Sequence, residues 1–212
     1  MSIVLANYPF RKFILFLVLF LFLVACSSIE QGSDQSTIGS AEVKIAAAMK
    51  DVMWKGELGS KIDLDTIPQR KGLYGIGPLE YLRGELMIYD GVCYVSEAAD
   101  DSAMLVSERF DVSAPFFVYA IVEDWEVIEL PADIRNMVKL EHFIDSINQD
   151  KNLSFPFRLE GIVKSARIHL QNLPIGSRVS SPKEAHQGQL NYQIENREVK
   201  IIGFFSRNHQ GV

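Results

Sequence analysis

The chain has 212 residues, 48% hydrophobic and 23% charged, with 21 basic against 27 acidic residues and a formal net charge of -6. This is globular composition with enough chain for one sizeable core or two small ones, and it excludes disordered, collagen-like and coiled-coil chains. Arg11 and Lys12 are the only charged residues among the first 25, so the rest carries 19 basic against 27 acidic residues, a net charge of -8 with no dense Lys/Arg run. Such a body repels polyphosphate, and nucleic acid is excluded as a partner.

Residues 1–25 read as an address. Phe13 to Val24 is an unbroken apolar run of twelve residues behind Arg11-Lys12, short of the roughly 20 that span a bilayer and suited to the middle of a signal peptide. The run ends in Leu23-Val24-Ala25-Cys26 followed by Ser27-Ser28, which resembles the bacterial lipobox. That resemblance implies cleavage before Cys26, lipid on its thiol, and an exported protein anchored to a membrane of the cell envelope. Cys26 and Cys93 are the only cysteines. With Cys26 lipidated, Cys93 has no partner and is expected to be a small buried hydrophobe.

Residues 26–40, nearly all small or polar, form a tether, and residues 41–212 form the domain. Ser40 would cap a helix from Ala41 to Trp54 that puts Ile45, Met49, Val52 and Met53 on one face and ends at Lys55-Gly56. The glycines of Gly75-Ile76-Gly77-Pro78 read as a chain bend feeding the hairpin. Glu85–Tyr89, Asp90-Gly91 and Val92–Val95 make that hairpin, since Asp-Gly tolerates the positive φ of a tight turn. Strands are expected over 104–106, 116–122 and 157–170. A second helix is expected over 132–148 after Pro131. Leu190–Ile194 and Val199–Phe205 are expected to pair across Glu195-Asn196. The class is α+β, a mixed or antiparallel sheet-dominated fold with hairpin connections.

No compact catalytic motif stands in the sequence. The histidines fall at 142, 169, 186 and 209, with no His-x-His, His-Glu-x-x-His or Cys-x-x-Cys to build a local zinc cluster. Two strand positions stand out. Glu85 opens an apolar strand, where a carboxylate is either solvated or functional. Arg167 shares a face with His169 under a period of two, and a guanidinium there is either an exposed strand charge or a bidentate grip on a carboxylate.

The stretch Gly75 to Gly91, with Ala114-Pro115-Phe116-Phe117-Val118, Phe157 through Arg167, and Val199-Lys200-Ile201-Ile202-Gly203-Phe204-Phe205, resembles the alpha-acetolactate decarboxylases across residues 41–212. The resemblance implies a zinc enzyme that converts 2-acetolactate to acetoin and carbon dioxide through a metal-stabilised enediolate. It places Glu85 at the metal and makes Arg167 the active-site arginine, although Ile168-His169 stand where many members carry Thr-Arg. The family's zinc histidines, a His-x-His pair and one more, together with a further glutamate, would lie beyond Val212. The fold is therefore expected to be incomplete at its carboxyl end, with weak zinc binding and little turnover. The alternative is a non-catalytic, lipid-anchored binding or structural module that keeps the scaffold. A homodimer is one arrangement open to either.

Overall fold

The computed structural model describes residues 2–6, 41–100, 102–147 and 154–207. The tether, Cys26 and His209 lie outside them. In chain order the strands are β1 (Ser2–Ala6), β2 (Lys44–Ala46), β3 (Ile62–Asp63), β4 (Leu73–Pro78), β5 (Glu85–Tyr89), β6 (Val92–Ala98), β7 (Met104–Glu108), β8 (Ser113–Ala114), β9 (Phe117–Ile121), β10 (Trp125–Glu129), β11 (Phe155–Leu170) and β12 (Leu190–Phe205). The α-helices are α1 (Met49–Lys55), α2 (Met137–Ile147) and α3 (Pro182–Ala185). A six-stranded sheet runs β2-β9-β4-β5-β6-β7, a four-stranded sheet runs β10-β1-β11-β12, and β3 pairs with β8. All of these pairings are antiparallel. The α+β, sheet-dominated class expected from the period-two pattern is the class observed.

The β5–β6 hairpin turns where expected, with Asp90 and Gly91 at φ 50° and 87°. Asp90 Oδ1 also accepts the Gly72 amide at 2.9 Å, which pins the hairpin tip to the start of β4. Alternation then splits β5 between two environments. Leu86 and Ile88 are buried with Leu73, Cys93, Val95 and Phe117, so Cys93 sits in the core as its strand context suggests. Met87 and Tyr89 point the other way, toward Tyr74, Trp125, Ile202 and Phe204 between the two sheets. Gly75 and Gly77 are strand residues rather than a bend. A Cβ on Gly75 would stand 2.6 Å from the Phe117 ring, and one on Gly77 2.4 Å from the Phe116 carbonyl oxygen. Glycine is needed there so that β9 can close on β4.

Three expected boundaries differ. The first helix begins at Met49, and Lys44–Ala46 is a strand on β9, with Ala46 opposite Phe117. Pairing with that edge satisfies three residues' backbone better than an isolated helical turn, and Ala47 at φ 59° makes the break. The end is as expected, with Gly56 left-handed at φ 67° and its N–H on the Asp51 carbonyl. The second helix begins at Met137 rather than 132, because Asn136 Oδ1 accepts the Lys139 amide at 2.9 Å and caps it there. Leu190–Phe205 is one strand, not a hairpin. It pairs with β11 from Leu170↔Leu190 to Phe155↔Phe205, and Asn196 adopts φ 51° without changing the register. A sixteen-residue partner strand outcompetes a local turn at Glu195-Asn196.

The sheets are joined through Arg158 on β11. Its guanidinium carbon lies 4.6 Å from the Trp125 ring centroid, 5.7 Å from that of Tyr74 and 5.8 Å from that of Tyr89. It donates to Tyr74 Oη at 3.0 Å and faces Glu160 at 3.6 Å, while Tyr89 Oη donates to Glu160 at 3.1 Å. Burial pushes the Tyr89 phenol up to about 12, so it stays a donor. Among the described residues no helix is long and apolar enough to cross a membrane.

Candidate active site

Glu85 is delivered by a tight turn. Tyr81 and Leu82 both take positive φ, 61° and 53°, unusual for such side chains and held by a fully buried Leu82. The Leu82 amide bonds to the Leu79 carbonyl and the Leu79 amide to the Gly84 carbonyl, each at 2.9 Å. Gly84 is obligatory at this bend, since a Cβ would meet the Ser96 carbonyl oxygen at 2.3 Å. The next residue, Glu85, enters β5 between Pro78 and Ser96. The Leu82 carbonyl also accepts the Leu173 amide at 2.9 Å, which draws the segment after β11 against the same turn. Gln171 is thereby set beside Glu85, its backbone N–H donating to Oε1 at 3.3 Å.

The two residues share the wall of a cavity of about 360 Å³. Met49, Val52 and Met53 of α1, Ile76 of β4, Leu82 and Phe116 make the rest of that wall largely apolar. Burial among these groups pushes the Glu85 carboxyl from its ordinary 4.5 up to about 7, and the Gln171 N–H opposes the rise. Gln171 is only 7% exposed, and its buried Oε1 has no hydrogen-bond partner among the described residues. A buried amide oxygen left without a donor costs about 1–3 kcal/mol, so Gln171 offers acceptor capacity at the cavity wall to a water or a ligand. Nothing in Leu170-Gln171-Asn172-Leu173 separates this glutamine from an ordinary loop residue, so it was invisible in the sequence.

The other sequence-predicted residues fall elsewhere. Arg167 is exposed on β11, opposite Gln193, and is not part of the cavity wall. His169 on the same strand bonds through Nδ1 to Asn191 Oδ1 at 2.6 Å. Cys26 lies outside the described residues. The zinc ion implied by the resemblance finds one carboxylate at this cavity, whereas catalytic zinc takes three protein ligands. Among the described residues no three His, Cys, Asp or Glu side chains come together, so these residues do not fit the ion.

The family model for alpha-acetolactate decarboxylase matches residues 46–211, most of the chain. The protein belongs to the alpha-acetolactate decarboxylase family. Its fold agrees: the alpha-acetolactate decarboxylase of Bacillus subtilis strain 168 superposes with a TM-score of 0.60 at 21% identity, over 80% of this chain and 70% of that one. A Staphylococcus aureus protein of unknown function, described as similar to alpha-acetolactate decarboxylase, superposes with a TM-score of 0.59 at 16% identity, over 77% and 67%. Among the curated proteins none matches the chain.

The environment of Glu85 has a measurable consequence for this family member. The folded protein holds the Glu85 proton more tightly than the unfolded chain does. Stability from this group is therefore fully present below about pH 4.5, declines as pH rises, and is lost once pH passes about 7. Glu85→Gln removes the ionisation. By urea denaturation the variant should equal the parent near pH 4 and exceed it at pH 8 by on the order of 3 kcal/mol, given about 1.4 kcal/mol per pKa unit. Equal stability at both pH values would mean that Glu85 is solvated.

Proposed function

We propose that the chain decarboxylates 2-acetolactate to acetoin and carbon dioxide, and that Glu85 supplies the proton. The observation that carries the reading is a carboxyl poised near neutrality in an apolar cavity, beside a buried acceptor with no partner among the described residues. The substrate carries two methyl groups, a ketone, a hydroxyl and a carboxylate. Its methyl groups suit the Val52, Ile76 and Phe116 side of the wall, and its hydroxyl is the donor that Gln171 Oε1 lacks. With a pKa of about 7, Glu85 is roughly half protonated at neutral pH, the condition that suits a general acid.

Carbon dioxide leaves as the bond from the carboxylate to the hydroxyl-bearing carbon breaks. The electron pair moves toward the ketone to form an enediolate, and a proton from Glu85 at that carbon gives acetoin. Solvent then reprotonates Glu85. Net, one proton is consumed and one carbon dioxide released. The apolar wall keeps water from competing as the proton donor and raises the energy of charged Glu85. Arg167, exposed on the strand that leads to Gln171, is assigned the incoming carboxylate, a role that rests on the resemblance.

Carbon dioxide release from racemic 2-acetolactate by the purified full chain, with and without added zinc, tests this reading. Glu85→Gln should lower kcat at least about 100-fold, the ordinary contribution of a positioned acid. Gln171→Leu should act mainly on KM, by about 10-fold, the worth of one buried hydrogen bond. Arg167→Ala should raise KM if the role implied by the resemblance holds, and an unchanged KM would leave Arg167 an exposed strand charge outside the cavity. Binding of 2-acetolactate at the Glu85 cavity with no turnover under any condition would favour the non-catalytic binding module.

We propose as well that the protein is exported and held to a membrane by lipid on Cys26, a reading supported by the Leu23-Val24-Ala25-Cys26 sequence behind an apolar run. Cys26→Ala should shift the protein from the membrane fraction to the soluble one, or leave it unprocessed. A variant that fractionates and migrates like the parent would refute the anchor.

A further inference from the structure

We propose that the slot between β10 and β11 is a strand-acceptor site, and that the chain's own amino terminus, Ser2–Ala6, is its occupant. β1 is the inner strand of the four-stranded sheet and pairs on both edges. Along β10 it runs from Ser2↔Glu129 to Ala6↔Trp125, and along β11 from Ser2↔Glu160 to Leu5↔Phe157. Among the described residues β10 has no other sheet partner. Its connection to the rest of the sheet passes wholly through a segment that stands ahead of the apolar run 13–24.

The chemistry of the slot is that of a sheet gap. Facing rows of backbone N–H and C=O groups on β10 and β11 take an extended strand antiparallel to both, and an unfilled gap would leave those groups as two open edges. The positions opposite the occupant are selective. Ile3 stands opposite Ile128 and Leu159, which pack against Leu140 and Ile144 of α2, and Leu5 stands opposite Phe157. A short apolar strand suits this register, and Ser-Ile-Val-Leu-Ala is one.

The amino-terminal segment therefore has a structural role as well as any targeting one. While residues 1–6 remain attached, β10 is held in the sheet. If processing before Cys26 takes place, it removes the strand, opens the slot and releases β10, so folding of the domain and cleavage of the leader oppose each other.

The experiment uses the unprocessed full chain, purified from cytoplasm under reducing conditions and then oxidised. Val4→Cys with Val127→Cys places two cysteines at directly paired register positions, whereas Leu5→Cys with Val127→Cys puts them one residue out of register. The first pair should form the disulfide at least about 10-fold faster than the second, read as a mobility shift on non-reducing gels. Equal rates would overturn the proposal. Val4→Pro supplies the independent reading, because it removes a ladder donor from β1. Hydrogen exchange should show lost protection at Glu126, Val127 and Ile128 while Leu86 and Ile88 of β5 stay protected. Protection of β10 unchanged in Val4→Pro would equally overturn it. Neither outcome depends on lipid at Cys26 or on decarboxylation.

Discussion

The architecture depends on a single guanidinium. Arg158 lies among Trp125, Tyr74 and Tyr89, donates to Tyr74 Oη and faces Glu160. Trp125 and Arg158 belong to the four-stranded sheet, Tyr74 and Tyr89 to the six-stranded one. A desolvated cation over aromatic faces is worth about 2 kcal/mol, and the Tyr74 hydroxyl bond adds about 1. The gain is modest beside the apolar burial around it, but it is directional. A flat, forked cation accepts only one arrangement of the rings, so it sets how the two sheets face each other.

That arrangement decides what β5 presents on its second face. Glu85, Met87 and Tyr89 alternate along one side of the strand, and Tyr89 is held between Arg158 and Glu160. With that end fixed among the aromatic rings, the strand's start is fixed by the Leu79–Gly84 turn. Glu85 thus stands where α1 roofs the sheet with Met49, Val52 and Met53. Burial penalises the charged carboxylate, and among the described residues its protein donor is one backbone N–H from Gln171. Raised basicity at this carboxyl is a product of placement, with no charged neighbour needed.

Much of this was legible in the residues, and the misses share a cause. The Asp90-Gly91 hairpin, the apolar strand at 116–122, the left-handed Gly56 and a buried Cys93 all follow from local rules: positive φ, alternation, capping. Glu85 stood out because a carboxylate opened an apolar strand within a family-like stretch. What stayed hidden was set by partners distant in sequence. Lys44–Ala46 became a strand because β9 offered an edge, and Glu195-Asn196 failed to turn because β11 was long enough to pair the whole of β12. Gln171 gained its role 86 residues from Glu85, through a turn at Leu82 that no local pattern announces. Ser2–Ala6 looked like leader sequence alone, yet its backbone completes a sheet.

The central claim, that Glu85 is a neutral-pH acid in a ligand cavity, is tested most directly by its own titration. With glutamate labelled at the side-chain carboxyl carbon, and the resonance assigned by its loss in Glu85→Gln, carbon-13 NMR follows that one group. The account predicts a midpoint about 7 in the free protein and a shifted resonance when 2-acetolactate or an unreactive hydroxy-keto acid analogue is added. A midpoint near 4.5 with no response to either compound would contradict it.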